Sequence, residues 1–391
     1  MGILANTVSI SHFNVIGNIP AGDIFNWLSE QLQQQTFRSI DATLEESSVG
    51  WVQLTDHSAT DFSVPAAFWH DGYAAFALRF DQRKIPAALF KAYQKAAELE
   101  FLTANPTLRR VPKQKREDLK DAVRLALFAK TLPVPSTCDL LWNTRTGLIT
   151  LTTQSTRTIE LLEAHFKRTF PDCRLVALHP MARAATVAPE ELQPALVKAN
   201  QAGSEAVLDQ IRANQWLGQD LLLWLLYRTL HDSGEYRISL PGPQDNGAPF
   251  VAYLNDRLVL MHANESGVQK VTVAGAQDNF GEVIAALKAG KKITEAAITF
   301  EQAEAQWRLT LKGELFQFAS LKSPPVQLEK DDTVDPAAEQ EAVFYERMHL
   351  LESCLQMFDS LLRHFLEERL GEIWRQTEAA IVAWLGNAVP R

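Results

Sequence analysis

Hydrophobic and polar positions along the chain change period several times, and each change predicts an element. Thr7–Ile16 alternates with β-branched residues and predicts a strand; Gly50–Leu54 and Tyr73–Phe80 do the same. Ala21–Gln34 places Phe25, Leu28 and Leu32 at helical spacing. From Ile85 the pattern turns helical. Ala87–Leu102 is rich in Ala, Lys, Glu and Leu, Asn105-Pro106 interrupts it, and Lys113–Lys130 resumes with Leu119, Val123, Leu127 and Phe128 on one face. Pro133 and Pro135 end that helix.

Asp139–Thr153 predicts a hairpin turning at Asn143–Gly147, followed by a helix at Thr158–Phe170 and a strand at Arg174–Leu178. Further on, one helix is expected over Val207–Thr229. Short strands follow at Tyr236–Leu240, Phe250–Leu254, Arg257–His262 and Val268–Val273, with Asn255-Asp256 as a turn. A helix at Phe280–Leu287, a strand at Lys292–Phe300 and a hairpin over Gln306–Phe318 complete the region.

Ser323–Ala338 reads as a polar, proline-bearing linker, and Glu339–Leu385 as a long helical segment. There Phe344, Met348, Leu351, Leu355, Phe358, Leu362 and Phe365 form a heptad seam. Such a seam serves either an internal packing face or a subunit contact.

The fold class expected is α+β. Its parts are an N-terminal region over 1–182 with a helical arm at 85–130, a second region over 183–322, the linker 323–338 and a C-terminal helical segment 339–391.

Charge sharpens this picture. The chain carries a net −9, yet Arg79–Lys130 holds thirteen basic and six acidic residues. That window is +7, which leaves −16 on the remainder. One basic element on an acidic body fits phosphate binding, because lysine and arginine release counterions from DNA without reading bases. A solvated helix face fits the same composition.

Motifs for chemistry are scarce. Ala289-Gly290-Lys291-Lys292 lacks the upstream glycine and the hydroxyl residue of a phosphate loop. Asp331 and Asp332 adjoin but fall in the linker, and lone histidines such as His12, His165 and His179 have no activating partner nearby in sequence. Three scattered cysteines (Cys138, Cys173, Cys354) suit a reducing cytosol rather than a disulfide framework. The longest apolar run, Leu221–Tyr227, is far shorter than the roughly 20 residues a membrane span needs. The opening MGILANTVSISHF has no signal-peptide pattern. The expectation is a non-enzymatic protein with neither cofactor nor metal.

Several ordered phrases resemble the RdgC family of recombination-associated proteins. They are Gly50-Trp51-Val52, Arg83-Lys84-Ile85-Pro86, Lys115–Asp121, Leu141-Trp142 with Gly147-Leu148-Ile149, and Ala289–Thr294. The agreement spans about residues 1–180 and, more loosely, 265–385, with 185–265 standing as an insertion.

The resemblance implies a homodimer closed into a ring around double-stranded DNA, bound without sequence preference. It implies an activity that limits the RecA recombinase, a cytoplasmic, nucleoid-associated location, and no membrane partner. It places phosphate contacts first on Lys113, Lys115, Arg116, Lys120 and Lys130, and second on Lys84, Arg109, Arg110, Lys291 and Lys292. Two departures stand out. Leu132 occupies the position of a family aromatic, and Ala274–Asp278 has no basic residue where the family carries a lysine-bearing loop. The alternative function is a protein-interaction scaffold using the C-terminal seam.

Overall fold

A computed structural model describes residues 2–20, 22–264, 267–275, 280–327 and 335–387. In chain order the elements are β1 (Thr7–Gly17), α1 (Ile24–Gln34), β2 (Ser47–Gln53), β3 (Trp69–His70), β4 (Tyr73–Gln82), α2 (Ala87–Ala104), α3 (Lys113–Phe128), β5 (Val134–Asn143), β6 (Leu148–Leu151), α4 (Thr156–Thr169) and β7 (Cys173–Ala177). Then come α5 (Pro180–Val187), α6 (Gln193–Ala199), α7 (Val207–Ala213), α8 (Trp216–His231), β8 (Glu235–Arg237), β9 (Pro249–Asn264), β10 (Gly267–Val273), α9 (Gly281–Lys288), β11 (Lys292–Gln302), β12 (Ala305–Lys312), β13 (Gln317–Lys322), α10 (Pro336–Arg369) and α11 (Trp374–Asn387). The class is α+β with antiparallel strand pairing. The chain divides into two compact units. One comprises Gly17–Arg145 and Glu160–Arg174; the other comprises Met1–Ile16, Thr146–Ile159 and Leu175–Arg391.

In the first unit, β4 pairs with β2 on one side and β5 on the other. The Gly50-Trp51-Val52 phrase sits where an irregular segment crosses β2. The Phe37 amide donates to Trp51 O at 3.0 Å, and the Trp51 amide donates to Gln35 O at 3.0 Å. A Cβ on Gly50 would come within 2.3 Å of the Phe37 backbone, so only glycine admits that crossing. Trp51 is fully buried. Its indole N–H donates to Thr169 Oγ1 at 2.7 Å, and its ring meets Phe76 edge-on at 4.9 Å. A second aromatic knot joins Trp27, Trp142, Phe166 and Phe170, which locks α1 and the end of α4 onto β5. Burying each such side chain contributes on the order of 1.5–3 kcal/mol.

The larger unit holds the strand order β10-β9-β11-β12-β13-β1-β6, with β8 on β9. Helix α8, apolar on nearly every face, packs on β9 and β11. The heptad seam of α10 turns inward: Phe344, Met348, Leu351, Phe358, Leu362 and Phe365 are buried, and Leu355 is half-buried. Intramolecular packing thus uses the seam, and a scaffold would have to offer another surface. Arg347, fully buried on the same helix, donates to Ile3 O at 2.9 Å and to Ser323 Oγ.

Three elements differ from the sequence expectation, each for a local reason. The helix expected over Val207–Thr229 is two, α7 and α8. Asn214 separates them; its side chain binds the Gln201 amide at 3.0 Å and Asn200 Oδ1 at 2.7 Å. The turn at Asn255-Asp256 is a bulge within the single strand β9, where Asp256 takes φ +77° and its carboxylate holds Arg308 and the Gly275 amide. The C-terminal segment breaks between α10 and α11 around Gly371. The proposed linker lies partly outside the described residues, at 328–334, which include Asp331 and Asp332; helix α10 begins at Pro336.

Two buried histidines set an acid limit on this fold. His12 lies 3.4 Å from Arg183, whose guanidinium pairs with Asp359; burial, reinforced by the Arg183 charge, holds the His12 pKa well below 6.5. Burial brings His165 down to about 4, against the raising effect of its bond to Gln35 O. Both imidazoles stay neutral in the fold where the unfolded chain takes protons near pH 6.5. Stability is full above that pH and falls below it, and the His165 share is fully lost below about pH 4. Thermal melts at about pH 7.5 and about pH 5 should show a clear fall in Tm, shallower in a His165→Gln variant.

Candidate nucleic-acid interface

Helices α2 and α3 pack against each other. Helix α2 buries no residue, and α3 buries only Val123, Leu127 and Phe128 near its C-terminal end. Hydrophobic packing is deepest at the root of the pair; farther out Phe101, Leu102 and Leu119 are half-buried, and Val111 is buried in the α2–α3 connection. Arg83 makes the root rigid. It is 5% exposed, and its guanidinium donates to Ile40 O at 2.7 Å, Thr43 O at 2.9 Å, Glu45 O at 3.2 Å, Phe128 O at 3.3 Å and Thr131 O. Phe128 ends α3, so this cation also meets the negative end of the helix dipole.

Eight of the candidate phosphate ligands lie in this unit. Lys84 is exposed between β4 and α2. Arg109 and Arg110 are exposed in the α2–α3 connection, and Lys113 opens α3. Lys115 lies over the Phe101 ring at 5.8 Å, Arg116 reaches Glu98 at 3.5 Å, and Lys120 reaches Glu117 at 3.2 Å. Lys130 is exposed just past α3, beside Leu132, which is 78% exposed. Lys84, Arg109, Arg110, Lys113 and Lys130 make no ion pair among the described residues. Lys291 and Lys292 belong to the other unit, at the start of β11, where Lys292 lines a cavity of about 620 Å³ with Gln219, His262 and Glu314. Burial raises the Asp220 carboxyl, against the pull of its Arg369 partner and the smaller pull of the Lys292 charge. Of the loop Ala274–Asp278, residues 276–278 lie outside the described residues.

The charge count of the sequence needs two subtractions. Arg79 is committed to Asp81 through bonds of 2.9 and 2.7 Å, and Arg83 is buried in the root. The structure also shows what was passed over. Lys91 and Lys95, four residues apart on α2, are exposed without an ion pair among the described residues. Their i,i+4 spacing was the available signal. Lys113, Arg116, Lys120 and Arg124 likewise follow one stripe of α3, with Arg124 tied to Glu46 at 3.1 Å.

The α3 N-terminus is unusual on stability grounds. Its cap residue is Pro112, no side chain caps it, and no acidic residue stands in its first turn. Lys113, Lys115 and Arg116 occupy that region instead. Cations there oppose the helix dipole, at a cost of about 0.3–1 kcal/mol each at exposed sites. Among the described residues, no group of three or more His, Cys, Asp and Glu comes together to hold a metal, and no helix is long and apolar enough to cross a membrane.

Residues 20–209 match the family model described as "Putative exonuclease, RdgC". Over that segment the chain is similar to the RdgC family. The RdgC match contains the whole α2–α3 pair and the eight candidate residues on it, and ends before Lys291 and Lys292. No curated protein matches the chain.

Arg83→Leu removes the donors that satisfy carbonyls from two segments, residues 40–45 and the end of α3. Leaving buried carbonyls unpaired costs about 1–3 kcal/mol each, so the variant should lose at least about 3 kcal/mol in urea unfolding. Lys113→Gln, which has no partner to lose, should stay within about 0.5 kcal/mol of the parent.

Proposed function

We propose that the chain is a recombination-associated binder of double-stranded DNA that contacts phosphates without reading sequence. The observation that carries this reading is the first turn of α3. Cations gathered where the helix dipole disfavours them are explained by an anionic ligand, since stability alone selects acidic residues there. The uncapped amides of the same turn add to the positive potential.

In this reading Lys84, Arg109, Arg110, Lys113, Lys115, Arg116, Lys120 and Lys130 are phosphate contacts on one unit, and Lys291 and Lys292 on the other. None requires a particular base. The exposed Leu132 serves as an apolar wedge against a groove, in place of the family aromatic. The resemblance to RdgC proteins extends the reading: a homodimer forming a ring around the duplex, restriction of RecA access to DNA, and a nucleoid-associated location in the cytoplasm. No cofactor enters it.

Fluorescence anisotropy with two unrelated labelled duplexes over a salt series tests the proposal. Equal affinities that fall steeply with salt are expected, since each phosphate contact adds about 0.9 to the log–log slope. Reversing Lys113, Lys115 and Arg116 to Glu should weaken binding at least about tenfold while leaving Tm unchanged or higher, because the acidic residues suit the helix dipole. Unchanged affinity in that variant removes the arm from the binding site. Because the family description names an exonuclease, the same duplexes incubated with magnesium read that activity directly. Shortening of the labelled strand would replace the binding-only reading.

A further inference from the structure

The root of the arm holds a cavity of about 450 Å³, whose composition differs from that of the rest of the arm. Phe90 of α2 and Phe128 of α3 line it together with Ile85. Lys84 and Lys120, both among the phosphate contacts above, stand on the same lining, as does Arg124. Arg124 is held over the Phe128 ring, 5.3 Å from its centroid, by its pair with Glu46. Asp121 and Glu46 add two carboxylates.

A phosphate alone does not account for this site: half of it is apolar, and the carboxylates repel an anion. A paired base does not reach into it either, since its faces are covered by its neighbours in the stack. An unpaired nucleotide fits each feature. Its base offers a π-face to the phenyl rings and to the Arg124 guanidinium. Its exocyclic amino groups donate to Asp121 or Glu46, and its phosphate meets Lys84 and Lys120. The volume lies within the range of small-ligand pockets.

We propose that this cavity receives a single unpaired nucleotide from DNA bound along the arm, a proposal that rests on the duplex-binding reading above. The arm would then grip paired DNA by its phosphates anywhere, and hold longest where one base is unpaired.

The test uses the full chain and three labelled duplexes of one sequence: fully paired, with a one-nucleotide bulge, and with the same bulge made abasic. Anisotropy should show the bulged duplex bound at least about fivefold tighter than the paired one, the gain of one stacked base. The abasic bulge should lose that preference. Phe90→Ala should lose it too, with affinity for the paired duplex unchanged. Equal binding of the bulged and paired duplexes overturns the inference and leaves the duplex reading standing. So does an abasic bulge bound as tightly as the bulge with its base, which would mean that backbone flexibility alone is sensed. Because the abasic probe needs no variant, that arm of the test stands whatever Phe90→Ala does to folding. Failure to bind any of the three overturns the duplex reading itself, and this inference with it.

Discussion

A buried guanidinium with no carboxylate beside it must find oxygen acceptors elsewhere, and Arg83 finds them in backbone carbonyls from residues 40–45 and from the end of α3. That arrangement fixes where the arm leaves the sheet. Helix α2 buries no residue fully; Phe90, Phe101 and Leu102 are half-buried along the face it turns to α3. The pair is positioned by the short apolar end of α3, by Arg83, and by the Arg124–Glu46 bridge, which at its exposure adds little energy. With the root rigid, the rest of the arm is free to be charged. Its cations need not satisfy any internal partner, and several of them do not.

The electrostatics of the arm and of the two units have different purposes. In the larger unit Arg183 is balanced by Asp359 and stacked against Phe318 and Phe358, a self-contained network with no charge to spare. On the arm, Lys113, Lys115 and Arg116 stand where helix physics disfavours them. The contrast supports phosphate binding more strongly than the count of basic residues does, since that count includes Arg79 and Arg83, which are structural.

Much of the fold was legible in the sequence wherever one period governed a segment. Strand β1, helix α2 and helix α3 begin at the residues that periodicity and proline punctuation indicate. Two of the three misreadings share a cause: a polar side chain competing with the backbone, a choice that periodicity does not record. Asn214 ends a helix that its neighbours would continue, and the Asp256 carboxylate stabilises a bulge that reads as a turn. The heptad seam was visible, but whether it faces inward depends on what packs there, and the burial of Phe344, Met348 and Phe358 gives that answer. At the candidate site, the two helices and their excess of basic residues could be read from pattern and composition. The role of Arg83 could not, because it depends on carbonyls over forty residues away on either side. Lys91 and Lys95 were readable from spacing alone.

The most direct measurement is lysine reactivity toward an acetylating reagent, read by mass spectrometry with and without duplex DNA at low salt. On this account Lys84, Lys113, Lys115 and Lys130 lose reactivity when duplex is present, while exposed lysines off the arm such as Lys198 and Lys270 keep theirs. Protection of Lys198 and Lys270 with the arm lysines unchanged would contradict the account and move the DNA to another surface.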